Sequence, residues 1–100
     1  MSAAIVPVEV VSWLTKLVGA DGSGRRVMEE PLPSGATVRS VLLGLSRRYT
    51  ALHEALWQDD GLGEHIEVLV NDAVLGVAHD LDTPLHPGDR ITLLGQYMGG

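Results

Sequence analysis

Ile66-Glu67-Val68-Leu69-Val70-Asn71-Asp72 places three β-branched residues, Ile66, Val68 and Val70, at every second position and ends on two residues that tolerate left-handed backbone. Alternation with a period of two marks a strand with one covered face, and Asn-Asp after it is tight-turn chemistry. Val74-Leu75-Gly76-Val77 then reads as a short returning strand. Thr83-Pro84-Leu85-His86-Pro87-Gly88-Asp89 is a Pro/Gly turn that leads into a last strand over residues 90–94. There Ile91 and Leu93 lie on one side and Thr92 and Leu94 on the other, which predicts a central, covered strand.

Working back, Thr37 follows the Gly35 turn as an N-cap residue. Val38, Val41, Leu42, Leu45 and Tyr49 recur behind it at helical spacing, with Arg39, Arg47 and Arg48 elsewhere on the cylinder. This is one amphipathic helix of roughly three turns, weakened only at Gly44. Leu52, Ala55 and Leu56 suggest a second short helical turn before Asp59-Asp60-Gly61. Nearer the start, Val6, Val8 and Val10 alternate, so residues 5–18 read as a strand, with a helix through Leu14, Leu17 and Val18 left open. Gly19-Ala20-Asp21-Gly22-Ser23-Gly24 is a hairpin-like turn. Residues 25–32 return with Val27 inward and Arg26, Glu29 and Glu30 in water, until Pro31 and Pro33 stop the strand.

Strand, strand, helix, strand, short strand, strand is an α+β order, a mixed sheet of roughly four or five strands with one main helix across it. A right-handed crossover makes the strands that flank the helix parallel and sets the final strand beside the first. The chain reads as a single domain, 1–100, whose residues 94–100 form a flexible tail.

Composition narrows the function classes. With 100 residues, 45% hydrophobic and 20% charged, the chain builds one core and is not compositionally disordered. Lys and Arg total 7 against 13 Asp and Glu, a net charge of −6. That argues against nucleic acid or an anionic membrane as partner and suits a basic docking surface on another protein. There is no Cys, hence no disulfide, cysteine nucleophile or thiolate metal site. Met1-Ser2-Ala3-Ala4-Ile5-Val6-Pro7 lacks the positive n-region of a signal peptide, and the apolar runs fall short of the ~20 residues of a spanning helix. A cytoplasmic location is expected.

The element order and the terminal Gly99-Gly100 together resemble the ubiquitin-like β-grasp fold, and specifically the MoaD/ThiS family of prokaryotic sulfur carriers. Thr37-Val38-Arg39-Ser40-Val41-Leu42 is similar to the family's threonine-capped helix start, and Arg48-Tyr49-Thr50-Ala51-Leu52 to the helix end of longer members. Ile66-Glu67-Val68-Leu69-Val70-Asn71-Asp72 resembles its "V-x-V-x-V-N-G/D" strand and turn. Leu81-Asp82-Thr83-Pro84-Leu85-His86-Pro87-Gly88-Asp89-Arg90-Ile91 resembles its "L-x-T-x-L-x-x-G-D-x-V" stretch. Two departures stand out. The family's last residues usually read like "P-x-x-A-G-G", whereas this chain ends Gly95-Gln96-Tyr97-Met98-Gly99-Gly100, and its first hairpin carries little family signature.

The resemblance implies a carrier rather than an enzyme. A ubiquitin-activating-type enzyme would use ATP to adenylate the carboxylate of Gly100, with Gly99 beside it. A sulfurtransferase or sulfide donor would then displace AMP to leave a thiocarboxylate. A biosynthetic enzyme would accept the sulfur, for molybdopterin, thiamine, cysteine, thiolated tRNA or a secondary metabolite. Leu94, Gln96, Tyr97 and Met98 are the expected partner contacts, with packing against the sheet edge equally open for Tyr97 and Met98, and Glu67 would complement a basic cleft. The isolated chain is expected to be a monomer that binds no cofactor. The alternatives are a ubiquitin-like modifier joined to target lysines through Gly100, and a binding module with an inert tail. Lys16 is the only lysine, which argues against chains built on the protein itself.

Other chemistry finds no footing. Gly19 to Gly24 has no following Lys and is no phosphate loop. His53, His65, His79 and His86 stand singly, and Asp80-x-Asp82 loses its next calcium-ligand position to Pro84. No Ser/His/Asp set can be assembled from spacing. Arg47 and Arg48 read as a solvated helix face, with pairing to Glu54 or contact with a partner as the alternatives, and Trp13 and Trp57 as core or core-edge packing, Trp13 turning to the surface if the strand register slips.

Overall fold

Val6, Val8 and Val10 are fully buried along β1 (Ile5–Val11), so the first apolar run is a strand with one covered face. The computed structural model describes residues 4–58, 61–63, 66–75 and 80–95. The strand ends earlier than its aliphatic content suggests, because Ser12 adopts a left-handed φ of 63° and donates its N–H to the Gly24 carbonyl at 2.7 Å. Ser12–Val18 then form a 3-10 helix that buries Leu14, Thr15 and Val18 and stops at Gly19, φ 82°. Of the two readings left open for residues 5–18, each holds for one half.

β2 (Arg25–Pro31) returns antiparallel to β1, and here the expected facing is corrected. Val8 opposes Met28 and Val6 opposes Glu30. Directly opposed residues share a face, so Met28 and Glu30 point inward and Val27 points out. Val27 is 54% exposed and Glu30 only 2%. Glu30 therefore leaves the water it was assigned to. Its carboxylate takes a bidentate pair from Arg48, with Nη1 3.1 Å from Oε1, so Arg48 pairs across the fold and not with Glu54. That hydrogen bonding holds the Arg48 guanidinium above its ordinary value.

Thr37 caps α1 (Val38–Arg48): its Oγ1 accepts from the Ser40 N–H at 3.2 Å while its own N–H donates to Ser40 Oγ at 2.9 Å. Both orphan donors are satisfied reciprocally. Val38, Val41, Leu42 and Leu45 form the buried stripe. Tyr49 is not its last member but the cap between α1 and α2 (Thr50–Leu56), which buries Leu52 and Leu56. Replacing Thr37 by Ala should cost about 1 kcal/mol in urea unfolding, with Thr37→Ser retaining most of it. An unchanged midpoint in the Ala variant would remove the capping box from the account of this helix.

β3 (Trp57–Gln58) and β4 (Gly61–Leu62) make a separate two-stranded ribbon. β5 (Ile66–Val70), β6 (Ala73–Val74) and β7 (Ile91–Gly95) complete the main sheet, whose order is β2-β1-β7-β5-β6. The turn between β5 and β6 runs through Asn71 and Asp72 at φ 52° and 70°, the backbone expected of a two-residue hairpin. Gly76 and Val77, read as part of the returning strand, lie outside the described residues. β7 is central, parallel to β1 and antiparallel to β5. Val8, Val10, Ile91, Leu93, Ile66, Val68 and Val70 form its covered face with β1 and β5, and the α1 stripe joins them in one core. The expected mixed sheet with a helix across it is present, with five strands among the described residues. No helix among the described residues is long and apolar enough to cross a membrane.

Candidate functional site

The site follows from where β7 ends. Parallel pairing of Val10 with Leu93 brings the C-terminal ends of β1 and β7 to the same end of the sheet. Gly95 still pairs with Ile66. The tail therefore does not start at residue 94: Leu94 and Gly95 belong to the sheet. The remaining expected site residues, Gln96, Tyr97, Met98, Gly99 and Gly100, lie outside the described residues.

Leu94 faces away from the core, opposite Glu67, and both are half-buried. Leu69 opposes Thr92 on the same outer face, where Glu9 also stands, paired at 3.0 Å with the exposed Arg25. The outer sheet surface beside the end of β7 thus mixes apolar side chains with carboxylates, and it sets Leu94 directly opposite Glu67.

Two residues read only as packing help to build this end of the molecule. Trp13, on the 3-10 helix, lies over Gly95: a Cβ built on Gly95 would fall 2.8 Å from Cζ2 of the indole and closer still to Nε1 and Cε2. Only glycine permits that approach. Trp57 donates its indole N–H to Ser46 Oγ at 3.0 Å, which satisfies a hydroxyl that is 1% exposed. Trp13 and Trp57, with Glu54, Ala55, Gln58 and Gly63, line a surface cleft of about 350 Å³. The sequence marks the glycine, which closes the strand Ile91-Thr92-Leu93-Leu94-Gly95, but nothing in it points to the residue that lies over it.

The remaining candidates are engaged in local structure or fall outside it. Asp80 Oδ1 accepts from the Asp82 N–H at 2.8 Å, while its own N–H donates to Thr83 Oγ1 at 2.8 Å, so this carboxylate is used in a turn. Asp21 accepts from both the hydroxyl and the N–H of Ser23, which hold its carboxyl below the usual range. His53 and His86 are exposed, and His65 and His79 lie outside the described residues. Among the described residues no group of three or more could hold a metal ion. Lys16 is exposed, with its stem packed over Gly22.

Residues 9–100 match the model of the ThiS family. Comparison with the curated proteins gives no match. Among solved structures, the chain is similar to a chain of the Amycolatopsis orientalis BexX/CysO complex, with 25% identity and a TM-score of 0.70 over 93% of this chain and 99% of that one. It is similar to SAMP1 from Haloferax volcanii, with 27% identity and a TM-score of 0.67 over 94% and 99% of the two chains. CysO of Mycobacterium tuberculosis shares the fold, at 23% identity and a TM-score of 0.66 over 90% and 99%.

Proposed function

The chain belongs to the ThiS family, and from that premise we propose that it is a sulfur carrier whose reactive group is the carboxylate of Gly100. The observation that supports this most directly is the reach of the family match, which runs to the last residue and includes Gly99 and Gly100.

In the first step a carboxylate oxygen of Gly100 attacks the α-phosphorus of ATP held by an activating enzyme. An acyl adenylate forms and pyrophosphate leaves. Hydrosulfide, free or supplied by a sulfurtransferase, then adds to the acyl carbon. The C–O bond to AMP breaks, one proton is released, and the terminus becomes a thiocarboxylate. A sulfur-incorporating biosynthetic enzyme takes the sulfur, and water restores the carboxylate. Glycine suits the terminus because it has no Cβ to crowd the acyl carbon or to bar a narrow channel. The phosphate chemistry belongs to the partner, since this chain carries no phosphate loop. Leu94 and Glu67 offer the described part of a docking face, where carboxylates speed encounter with a basic cleft.

Likeness to SAMP1, a small archaeal modifier protein, favours a second reading, in which the same activated carbonyl is passed to a lysine amine of a target protein. Intact mass of the protein isolated under non-reducing conditions separates the two. Exchange of oxygen for sulfur adds about 16 mass units, as methionine oxidation does, so an alkylating probe selective for thiocarboxylate accompanies it. A probe-reactive terminus is the expected result. An unreactive carboxylate together with higher-mass conjugates would replace the carrier by the modifier.

A further inference from the structure

β2 is an edge of the main sheet, and no strand among the described residues pairs with its far side. Two bonds at its ends show which main-chain groups face that side. The Ser12 N–H donates to the Gly24 carbonyl at 2.7 Å, and the Leu32 N–H to the Ala4 carbonyl at 3.0 Å. Alternate residues of an antiparallel strand bond to the same neighbour. The even-numbered residues from Gly24 to Leu32 therefore turn to β1, while Arg25, Val27, Glu29 and Pro31 turn to the open edge. Pro31 agrees with this, because a strand tolerates proline where the missing N–H would face solvent. The side chains of these same residues lie on the outer sheet face, where Val27 is 54% exposed.

Charged side chains on an edge ordinarily discourage a second strand. Here their order attracts a copy of itself. Laid antiparallel about Val27, a second β2 sets Arg25 opposite the second copy's Glu29, Val27 opposite the second copy's Val27, and Glu29 opposite the second copy's Arg25. Opposed residues share a face, so both charge pairs and the valine pair form on the outer surface. The same pairs use every open N–H of the strand, each exchanging two main-chain hydrogen bonds. Moving the centre to Met28 would set Arg25 against Pro31, which has no N–H, and Val27 against Glu29. Arg25 already holds Glu9 at 3.0 Å, and the remaining guanidinium donors let it bridge both carboxylates.

We propose that β2 is a self-pairing edge, through which two copies of this chain join their sheets antiparallel about a two-fold axis at Val27. The monomer expected of the isolated chain is then its dilute form. The paired stretch, Arg25 to Glu29, is short, so the dimer is transient, with Kd on the order of 100 μM. The two-fold axis reverses β7 of one copy against β7 of the other, so their ends point to opposite ends of the joined sheet. Leu94 and Glu67 stand on strands that the pairing does not touch.

The test is sedimentation velocity at low salt from about 10 to about 500 μM, with amide exchange and melting temperatures measured alongside. The weight-average mass of the wild type should rise toward twice the monomer. The amides of Arg25, Val27 and Glu29 should gain protection with concentration, while those of Met28 and Glu30, bonded to β1, stay protected throughout. Arg25→Glu and Glu29→Arg each oppose like charges at both ends of the pairing, and should weaken self-association at least about tenfold. Mixed one to one, the two variants complement each other and should form a heterodimer with Kd near the wild-type value. Val27→Pro removes an N–H that β1 does not use, so it should keep the fold and abolish the dimer. A wild type that stays monomeric at about 500 μM overturns the proposal. A dimer that survives all three changes rests on another surface and overturns it too, as does a mixture of the charge variants that fails to associate.

Discussion

A chain cut after Met98 should melt where the full chain melts and support neither pyrophosphate exchange nor sulfur transfer. Stability is expected to survive because Gly95, paired with Ile66 and the last sheet residue among those described, lies three positions before the new terminus. Activity is lost for a stronger reason than the loss of a catalytic group. The deletion removes the reacting atoms and shortens the tail by roughly 7 Å. Misplacement of reacting groups by about 1 Å can already cost on the order of a hundredfold. The new terminus also carries a Met side chain beside the acyl carbon. Exchange should fall by more than about a thousandfold, below detection in an ordinary assay. Gly100→Ala isolates the steric part: it keeps the length, adds one methyl, and should lower kcat/KM by about tenfold or more. A cut chain that supports its pathway as well as the full chain, with no sulfur on its terminus, would leave the tail inert and the domain a binding module.

What the sequence disclosed follows from how local each signal is. Thr37 and the stripe behind it are legible because a helix is specified by residues one turn apart, and the cap bonds lie within three residues of each other. Ile66, Val68 and Val70 are legible because a strand covered on one face alternates in its own sequence. β2 misleads because its single β-branched residue, Val27, points to water. Its register is set by β1, and Val6 and Val8 impose Glu30 and Met28 on the inner face. A slip of one position reverses every side chain, and nothing within residues 25–31 reveals it. The Trp13–Gly95 contact joins residues 82 positions apart through a parallel strand pair, so it can be foreseen only once the topology is known.

Glu30 is the residue whose inward facing has the largest consequence for stability. Its side chain is 2% exposed, and the charge it buries is met by Arg48, which is itself 51% exposed at the end of α1. The carboxylate bears the desolvation, so removing the guanidinium should be the damaging change. Arg48→Ala strands a buried charge and should cost about 3 kcal/mol, a fall of roughly 15 °C in Tm for a domain of this size. Glu30→Leu removes the charge together with its need for a partner, and should stay within about 1 kcal/mol of wild type in either direction. In the double variant most of the Arg48→Ala loss should return, giving a coupling of about 2 kcal/mol in the mutant cycle. Arg25, 72% exposed and paired with Glu9 on the outer face, is the internal control: Arg25→Ala should cost no more than about 0.5 kcal/mol. High salt should diminish that small loss while leaving most of the Arg48 effect, since screening reaches a buried carboxylate poorly. Equal costs at Arg48 and Arg25 would mean that Glu30 reaches water in solution, and that β2 does not hold the register that turns it inward.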